Sequence, residues 1–393
     1  LRRQRQMCIR DSDGTLRGSV TKFEQYRSCP FAYYSRYGLG LEERPRYQFA
    51  APDLGMLVHG ALRIIGEKLL REQKQWHDIP DSEVPAICRQ ATDELAPQVQ
   101  HDILMSNAYF AQIKERLIQT LTRTVRRLSA FSAVSDFHME GLEKSFGRPG
   151  SPWEALRFTL KNGLHVVVTG QIDRIDTLRQ GDHKYVVIID YKSGRKQLDI
   201  SQIFTGLELQ LLTYMFVALL NIGGDAIPAA VLYCYVRNDR VSLEYRVSDE
   251  DKKKLYESKG KLTGFYLDDG QVMQQLDTSM QGFSDFLNLR LKKDGTLSDA
   301  SHTLYNEAGW SHLLDWAARQ IEDIAGHIGD GDISIHPVLL GQKAPCSYCP
   351  YRPVCRFDVA MAGNTYDAAG REDKDDMIRK MFDEGDDEHG LDK

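Results

Sequence analysis

The stretch Val186-Val187-Ile188-Ile189-Asp190-Tyr191-Lys192-Ser193-Gly194 constrains the fold more than any other part of the chain. Four branched aliphatic residues that end in a polar tip predict a buried strand whose carboxyl end opens onto a site. Side chains alternate faces along a strand, so Asp190 and Lys192 leave the same face of a rigid base. A carboxylate and an ammonium held together in this way suit metal-assisted hydrolysis.

Upstream, Leu164 to Thr169 is a second β-rich run that continues into Gly170-Gln171-Ile172-Asp173-Arg174-Ile175-Asp176. The polar segment Leu178 to Lys184 separates the two runs and predicts an antiparallel hairpin with Asp173 and Asp190 on adjacent strands. Paired strands lie about 4.8 Å apart, so the two carboxylates repel unless a cation sits between them. Hard oxygen ligands favour Mg²⁺ or Mn²⁺.

The order acid, hairpin, acid-x-lysine resembles the PD-(D/E)XK nuclease superfamily, and within it the RecB-like branch. The branch's G-x-I-D is Gly170-Gln171-Ile172-Asp173, its D-Y-K-S is Asp190-Tyr191-Lys192-Ser193, and its helical Q-x-x-x-Y is Gln210-Leu211-Leu212-Thr213-Tyr214. The branch's upstream histidine matches His59 in Gly55-Met56-Leu57-Val58-His59. The superfamily's proline is absent before Asp173, as is usual in this branch. D-x-K alone is a weak signal; four motifs in order are a specific one. A lone histidine on an apolar helix is more often a core residue, and only the downstream acids make His59 a ligand candidate.

The resemblance implies an α/β fold: a restriction-endonuclease-like mixed sheet flanked by helices, with helical insertions and an iron–sulfur staple joining the two ends. It implies Mg²⁺ held by His59, Asp173, Asp190 and the Tyr191 main-chain carbonyl. Lys192 would orient the attacking water or neutralise charge on the phosphate, and Gln210 and Tyr214 would position the strand.

A second constellation is Cys346-Ser347-Tyr348-Cys349-Pro350-Tyr351-Arg352-Pro353-Val354-Cys355, a C-x2-C-x5-C spacing that lets three thiolates converge. Three is one short of a usual metal or cluster ligand set, and Cys29, also followed by proline, supplies the fourth. Local spacing alone favours zinc. The pairing of a distant Cys-Pro with a late C-x2-C-x5-C resembles instead the [4Fe–4S] staple of AddB-type subunits of AddAB bacterial helicase-nucleases, and that of CRISPR-adaptation exonucleases. The segments "YRSCPFAYYSRYGLGLEER", "KGKLTGFYLDD" and "GDISIHPV" extend the AddB-type resemblance over Val20 to Asp358. Such a staple would close a loop of most of the chain, and loss of the cluster would loosen the domain.

The charge of −6 is unusual for a nucleic-acid binder. The acid-rich end from Arg371 to Lys393 accounts for about five of those charges, and without it the rest is close to neutral. Seven cysteines, an odd number, argue against a secreted disulfide framework. With no long apolar run and no secretory pattern, a cytoplasmic protein without a membrane span is expected.

Leu1 to Ser12 has no helical or strand period and resembles translated adapter sequence, so it is set aside with Cys8, and the chain reads as a piece of something longer. Residues 13–363 are expected to form the nuclease domain, with a helical part over 56–137, the catalytic sheet and helix over 140–247, and a helical and cysteine part over 250–363. Residues 364–393 read as an acidic disordered tail. Thr21-Lys22-Phe23-Glu24 has a capping-box pattern. Met56, His59 and Ile64 fall on a mostly buried helix over Gly55 to Leu70.

From Trp76 to Phe137 the chain reads as helical, with an apolar stripe of Ile113, Leu117, Leu121, Val125 and Leu128. Arg116, Arg123 and Arg127 lie on another face, either solvated or as a phosphate-tracking wall of a DNA channel. Glu140 to Phe146 predicts the first strand of the sheet, with Glu143 either structural, the favoured reading, or a further acid near the metal. Ile200 to Leu220 predicts a helix with Gln210 and Tyr214 on one face. Pro228 to Tyr235 and Val241 to Val247 predict strands, Asp249 to Lys259 a charged surface segment, and Trp310 to Ile328 a helix.

The expected activity is a Mg²⁺-dependent DNA exonuclease that cuts the 5′-terminated strand beside an AddA helicase-nuclease partner. The alternatives are a non-catalytic DNA-binding or scaffold module for that partner, and a free-standing single-strand exonuclease of the CRISPR-adaptation type.

Overall fold

The computed structural model describes residues 14–44, 49–99, 102–194, 196, 198–236, 248, 260–298, 303–368 and 372–383. The expected strand Val241 to Val247, the segment Asp249 to Lys259 and the leader Leu1 to Ser12 lie outside the described residues.

The strands are β1 (Thr15–Ser19), β2 (His138–Phe146), β3 (Leu156–Thr159), β4 (His165–Gln180), β5 (His183–Lys192), β6 (Ala226–Tyr235), β7 (Thr263–Leu267) and β8 (Leu304–Tyr305). Among the described residues they form one mixed sheet in the order β1-β4-β5-β6-β7-β8, with β2 and β3 also on β4. This is the α/β arrangement expected. Val186 to Ile189 are fully buried, as a central strand covered on both faces requires. The β4–β5 hairpin is antiparallel with Arg174 opposite Ile189 and Gln180 opposite His183. Its turn is shorter than the polar segment suggested, because pairing continues to Gln180 and Gly181 takes the left-handed φ of 61° that a tight turn needs. β5 and β6 are parallel, with Asp190 opposite Tyr233 and Lys192 opposite Tyr235, so their connection crosses over through helices.

The principal helices are α1 (Val20–Ser28), α2 (Ala51–Arg71), α3 (Val84–Leu95), α4 (Ala108–Ala133), α5 (Ile200–Phe204), α6 (Gln210–Ile222), α7 (Glu307–Asp330) and α8 (Lys374–Asp383). The apolar stripe of α4 packs as expected: Leu121, Val125 and Leu128 join the main core, while Ile113 and Leu117 cover a smaller cluster around Ile103 and Leu104. Met56 is a correction, since it is 54% exposed on α2 while its neighbours Leu57 and Val58 are buried. It falls on the helix's outer face.

Two further expectations give way to tertiary packing. α1 starts at Val20 after Ser19, without a side-chain cap, so the capping box at Thr21 does not form. The Glu24 carboxylate instead accepts from the Leu209 and Gln210 amides. The acidic end is not wholly unstructured either: α8 buries Met377 and Met381 at helical spacing, and Phe382 stacks on Tyr305. Its charged face stays outside, where Lys374 pairs with Asp199. The run Glu384 to Glu388 lies outside the described residues.

Candidate active site and cysteine cavity

β4 changes neighbours along its length. Its first half pairs with β1 and β3, β2 pairs with it from Gly170 onward, and β5 joins on the other side from Arg174. A Cβ at Gly170 would stand 2.5 Å from the Phe146 ring and 3.1 Å from that of Tyr214, so this position in the G-x-I-D motif accommodates only hydrogen. Beyond it, Asp173 emerges between β2 and β5. The Tyr191 amide donates to Asp173 Oδ2 at 2.9 Å, which ties the two acid-bearing strands together at the site. From α2, His59 brings Nδ1 to 3.2 Å from the same oxygen.

Glu143 completes this group. It lies between the pairs Leu142–Arg174 and Lys144–Ile172, which puts it across from Asp173. Its φ of 47° is left-handed, a conformation that costs a non-glycine residue about 1–2 kcal/mol. Ligand atoms of His59, Glu143 and Asp173 lie within 4.8 Å of one another. Of the two readings of Glu143, structural or a further acid near the metal, the structure favours the second, since its carboxylate stands beside His59 and Asp173. An acid on the strand before the hairpin was the available signal, but only the register shows where it points.

Burial is the first cause that pushes the Glu143 carboxyl up to about 7, with the charge of Asp173 adding to it. Burial and Asp173 likewise push Asp190 to about 6 against the opposing pull of Lys192. For His59, burial opposes protonation, yet the hydrogen bond to Asp173 and the charges of Asp173 and Asp190 prevail and raise it. Crowded acids with raised proton affinity suit a divalent cation, which neutralises more charge than a proton does.

Asp190 and Lys192 share a face as the strand period requires, with Lys192 Nζ 2.5 Å from Asp190 Oδ2. Tyr191 points the other way and is buried beside Arg174, whose guanidinium makes a two-bonded pair with Asp176. Lys192 also donates to Gln210 Oε1 at 3.1 Å, and Gln210 Nε2 donates to the Tyr214 hydroxyl at 2.9 Å. Tyr214 is buried edge-on to Phe146. The Q-x-x-x-Y pair therefore reaches the lysine through hydrogen bonds.

The four cysteines also converge. Cys29, Cys346, Cys349 and Cys355 line one cavity of about 170 Å³, together with Phe31, Pro337 and Phe357. Cys29 precedes the helical turn Pro30–Tyr33, and burial raises its thiol while the Ala32 and Phe31 amides act to lower it. Among the described residues, no three of these sulfurs lie within 4.8 Å of one another. Polar ties surround the cavity: Phe31 N to Ser334 O at 3.1 Å, Tyr351 Oη to Leu41 O at 3.0 Å, and Arg27 to Asp367 at 2.6 Å.

On α4, Arg116 and Arg123 are exposed. Arg127 turns inward, donating to the Asp285 carbonyl at 3.0 Å with its guanidinium over the Phe286 ring.

A family model described as the PD-(D/E)XK nuclease superfamily matches residues 17–356. Among curated proteins the chain is similar to the B-type subunit of the ATP-dependent helicase/deoxyribonuclease of Bacillus licheniformis, 34% identical over 95% of this chain and 32% of the relative. It is 36% identical to the protein of that name from Moorella thermoacetica over 90% of this chain and 31% of the relative. With that of Bacillus subtilis the identity is 34%, over 89% of this chain and 30% of the relative. The chain thus spans about a third of the length of the curated relatives it matches. No helix among the described residues is long and apolar enough to cross a membrane.

Proposed function

The chain belongs to the PD-(D/E)XK nuclease superfamily, and from that premise we propose that it hydrolyses DNA phosphodiester bonds with a divalent cation, as the nuclease part of a helicase-nuclease subunit. The observation that carries this reading is the joint placement of His59, Glu143 and Asp173 beside the Asp190–Lys192 pair.

The residues fit a divalent cation: Asp190 Oδ2 is buried without an aligned hydrogen bond, and Glu143 and Asp190 are held at raised proton affinity. His59, Glu143, Asp173 and Asp190 would hold Mg²⁺ or Mn²⁺, with the Tyr191 carbonyl as the further ligand implied by the family. When bound, the cation supplies polarisation of the phosphate and a more acidic water. Lys192 contributes a cation at the phosphate as charge develops there, and Gln210 fixes its ammonium. The exposed Arg116 offers a cation to backbone phosphates further along α4.

We assign the cysteine cavity to a [4Fe–4S] cluster. Four cysteines around one cavity, drawn from the two ends of the chain, support it. The partner is an A-type helicase-nuclease subunit, which the name of the relatives implies, and the strand cut is the 5′-terminated one. Similarity over nearly the whole chain to proteins of that name favours this reading over a free-standing exonuclease.

The test is Mg²⁺-dependent cleavage of an end-labelled single strand by anaerobically purified protein, with Asp190→Ala as control. Cleavage lost in the variant supports the reading, and the label position reads the polarity. Equal cleavage by both proteins refutes the site. A full cluster spectrum with cleavage only after the partner subunit is added places the activity in the complex.

A further inference from the structure

Behind the site, a polar network reaches a helix that the motifs do not include. Helix α6 has no side-chain cap of its own at Leu209. Glu24 supplies one from α1: its Oε1 accepts the Leu209 amide at 2.7 Å and the Gln210 amide at 3.0 Å. An acidic side chain at a helix N-terminus satisfies otherwise orphaned N–H groups and complements the helix dipole. The capped residue is Gln210 itself, whose side chain holds Lys192 at 3.1 Å and is held by Tyr214 at 2.9 Å.

Burial pushes the Glu24 carboxyl up to about 7, and the Lys196 charge acts against that shift. Lys196 lies 2.7 Å from Glu208, which is 1% exposed and accepts the Tyr233 hydroxyl, and it also acts on Glu24 through its charge. Both Lys192 and Lys196 bring their ammonium groups over the Tyr233 ring, at 5.5 and 5.7 Å from its centroid. Glu24, Glu208 and Lys196 thus form a buried polar base beside the Lys192–Gln210 arm.

We propose that Glu24 is a positioning residue for phosphodiester cleavage: it fixes the first turn of α6 so that Gln210 holds the Lys192 ammonium against Asp190. This rests on the nuclease reading and extends it to a residue far from the acids in sequence. Loss of the cap frees the first turn, and a displacement on the order of 1 Å at a reacting group can cost about a hundredfold in rate.

The experiment compares the full chain with Glu24→Ala, Glu24→Asp, Glu24→Gln, Gln210→Ala and the Glu24→Ala/Gln210→Ala double variant. Amide hydrogen exchange at Leu209 and Gln210 is measured alongside kcat and KM on an end-labelled single strand. Glu24→Ala is expected to speed exchange at both amides and to lower kcat about tenfold or more, with KM within about twofold. Glu24→Gln keeps an acceptor oxygen and recovers part of the loss. Glu24→Asp, a methylene shorter, loses protection and rate with a milder effect on folding, and it decides the matter if the alanine variant does not fold.

Because Glu24 acts through Gln210, the double variant should lose no more kcat than Gln210→Ala alone. Multiplied losses, or unchanged exchange in Glu24→Asp, overturn the proposal. Cleavage by the wild type with full kcat in the folded Glu24 variants overturns the positioning role alone. Absence of cleavage by the wild type, with and without the partner subunit, overturns the nuclease reading and this role with it.

Discussion

The Lys192 ammonium stands 2.5 Å from Asp190 Oδ2, and the two side chains differ in burial: Asp190 is nearly sealed while Lys192 keeps an edge in solvent. The same contact therefore means different things when either end is removed. Asp190→Asn takes away a buried charge and leaves an exposed-edge ammonium, so the metal-free fold should keep its stability. Lys192→Met strands a buried carboxylate and should cost on the order of 1–3 kcal/mol. Both variants should lose at least about a hundredfold in cleavage, the contribution of a positioned proton-transfer or charge-stabilising group. Denaturant unfolding and single-strand cleavage, run on the same preparations, check the asymmetry.

Stability should depend on pH through the same acids. Burial first, and the Asp173 charge second, push Glu143 to about 7 and Asp190 to about 6. Each binds its proton more tightly folded than unfolded, so its stabilisation is complete below the ordinary carboxylate range and is lost as pH rises from about 4 to about 7. His59 is also raised and loses its contribution in the same direction. Without metal, the melting temperature should fall across that window. Mg²⁺ should restore it at neutral pH and do little at the acidic end, where protons compete. Thermal melts with a chelator and with added Mg²⁺ test this; a melting temperature that rises through the window without metal would refute the assignment.

Glu143 offers a separation of stability from activity. Its left-handed φ of 47° suits glycine, and its carboxyl is buried among like charges. Glu143→Gly should melt no lower than the wild type when metal is absent, while Mg²⁺-dependent cleavage falls at least about tenfold, as for lost groups around a metal. Glu143→Gln should lose activity comparably without the gain in backbone freedom. Calorimetry and cleavage on the pair distinguish strain relief from charge relief.

How much of this was legible in the sequence follows from the range of each interaction. The β4–β5 hairpin and the Asp190–Lys192 face depend on a period of two and a turn, both local, and they stand as read. The four cysteines were grouped by spacing and by the shared Cys-Pro, and they line one cavity. Glu143 needed the register of β2 and a backbone outlier, neither of which is written in its neighbours. Glu24 matched a local capping pattern, but the α6 amides won the carboxylate. In the acidic end, net charge obscured Met377 and Met381, whose helical spacing was the better guide.

α8 is held by a narrow apolar face, so its removal should be felt locally. Met381 is fully buried and Phe382 stacks on Tyr305 beside His312. Met381→Lys buries a charge or undocks the helix; undocking is the cheaper outcome, which limits the loss to the docking energy, on the order of 1–3 kcal/mol. Limited proteolysis near Lys374 should speed up while cleavage of DNA continues. Unchanged proteolysis would mean that the helix does not dock in solution.

The cysteine cavity yields a prediction that separates cluster from scaffold. Cys349→Ala should remove the iron and the acid-labile sulfide together, whereas Cys88→Ala, a buried cysteine outside the cavity, should leave both in place. A cross-link over a loop of about 100 residues is assigned about 4–5 kcal/mol on chain-entropy grounds, and this one spans a longer stretch. The loss should nevertheless stay below global unfolding, because other ties cross the same gap: Tyr26 to the Asp332 carbonyl at 3.0 Å, Arg27 to Asp367, and the Val338 amide to the Ser28 carbonyl. Cys349→Ala should therefore melt lower, but in one cooperative transition, and Arg27→Ala combined with it should lower the melting point further than the two single losses added. Since α1 carries Glu24 toward Gln210 and ends at Cys29, loosening at the cavity should also lower cleavage without changing Mg²⁺ affinity. Stoichiometric zinc with no iron in anaerobically prepared wild type would refute the cluster assignment and leave the scaffold argument intact.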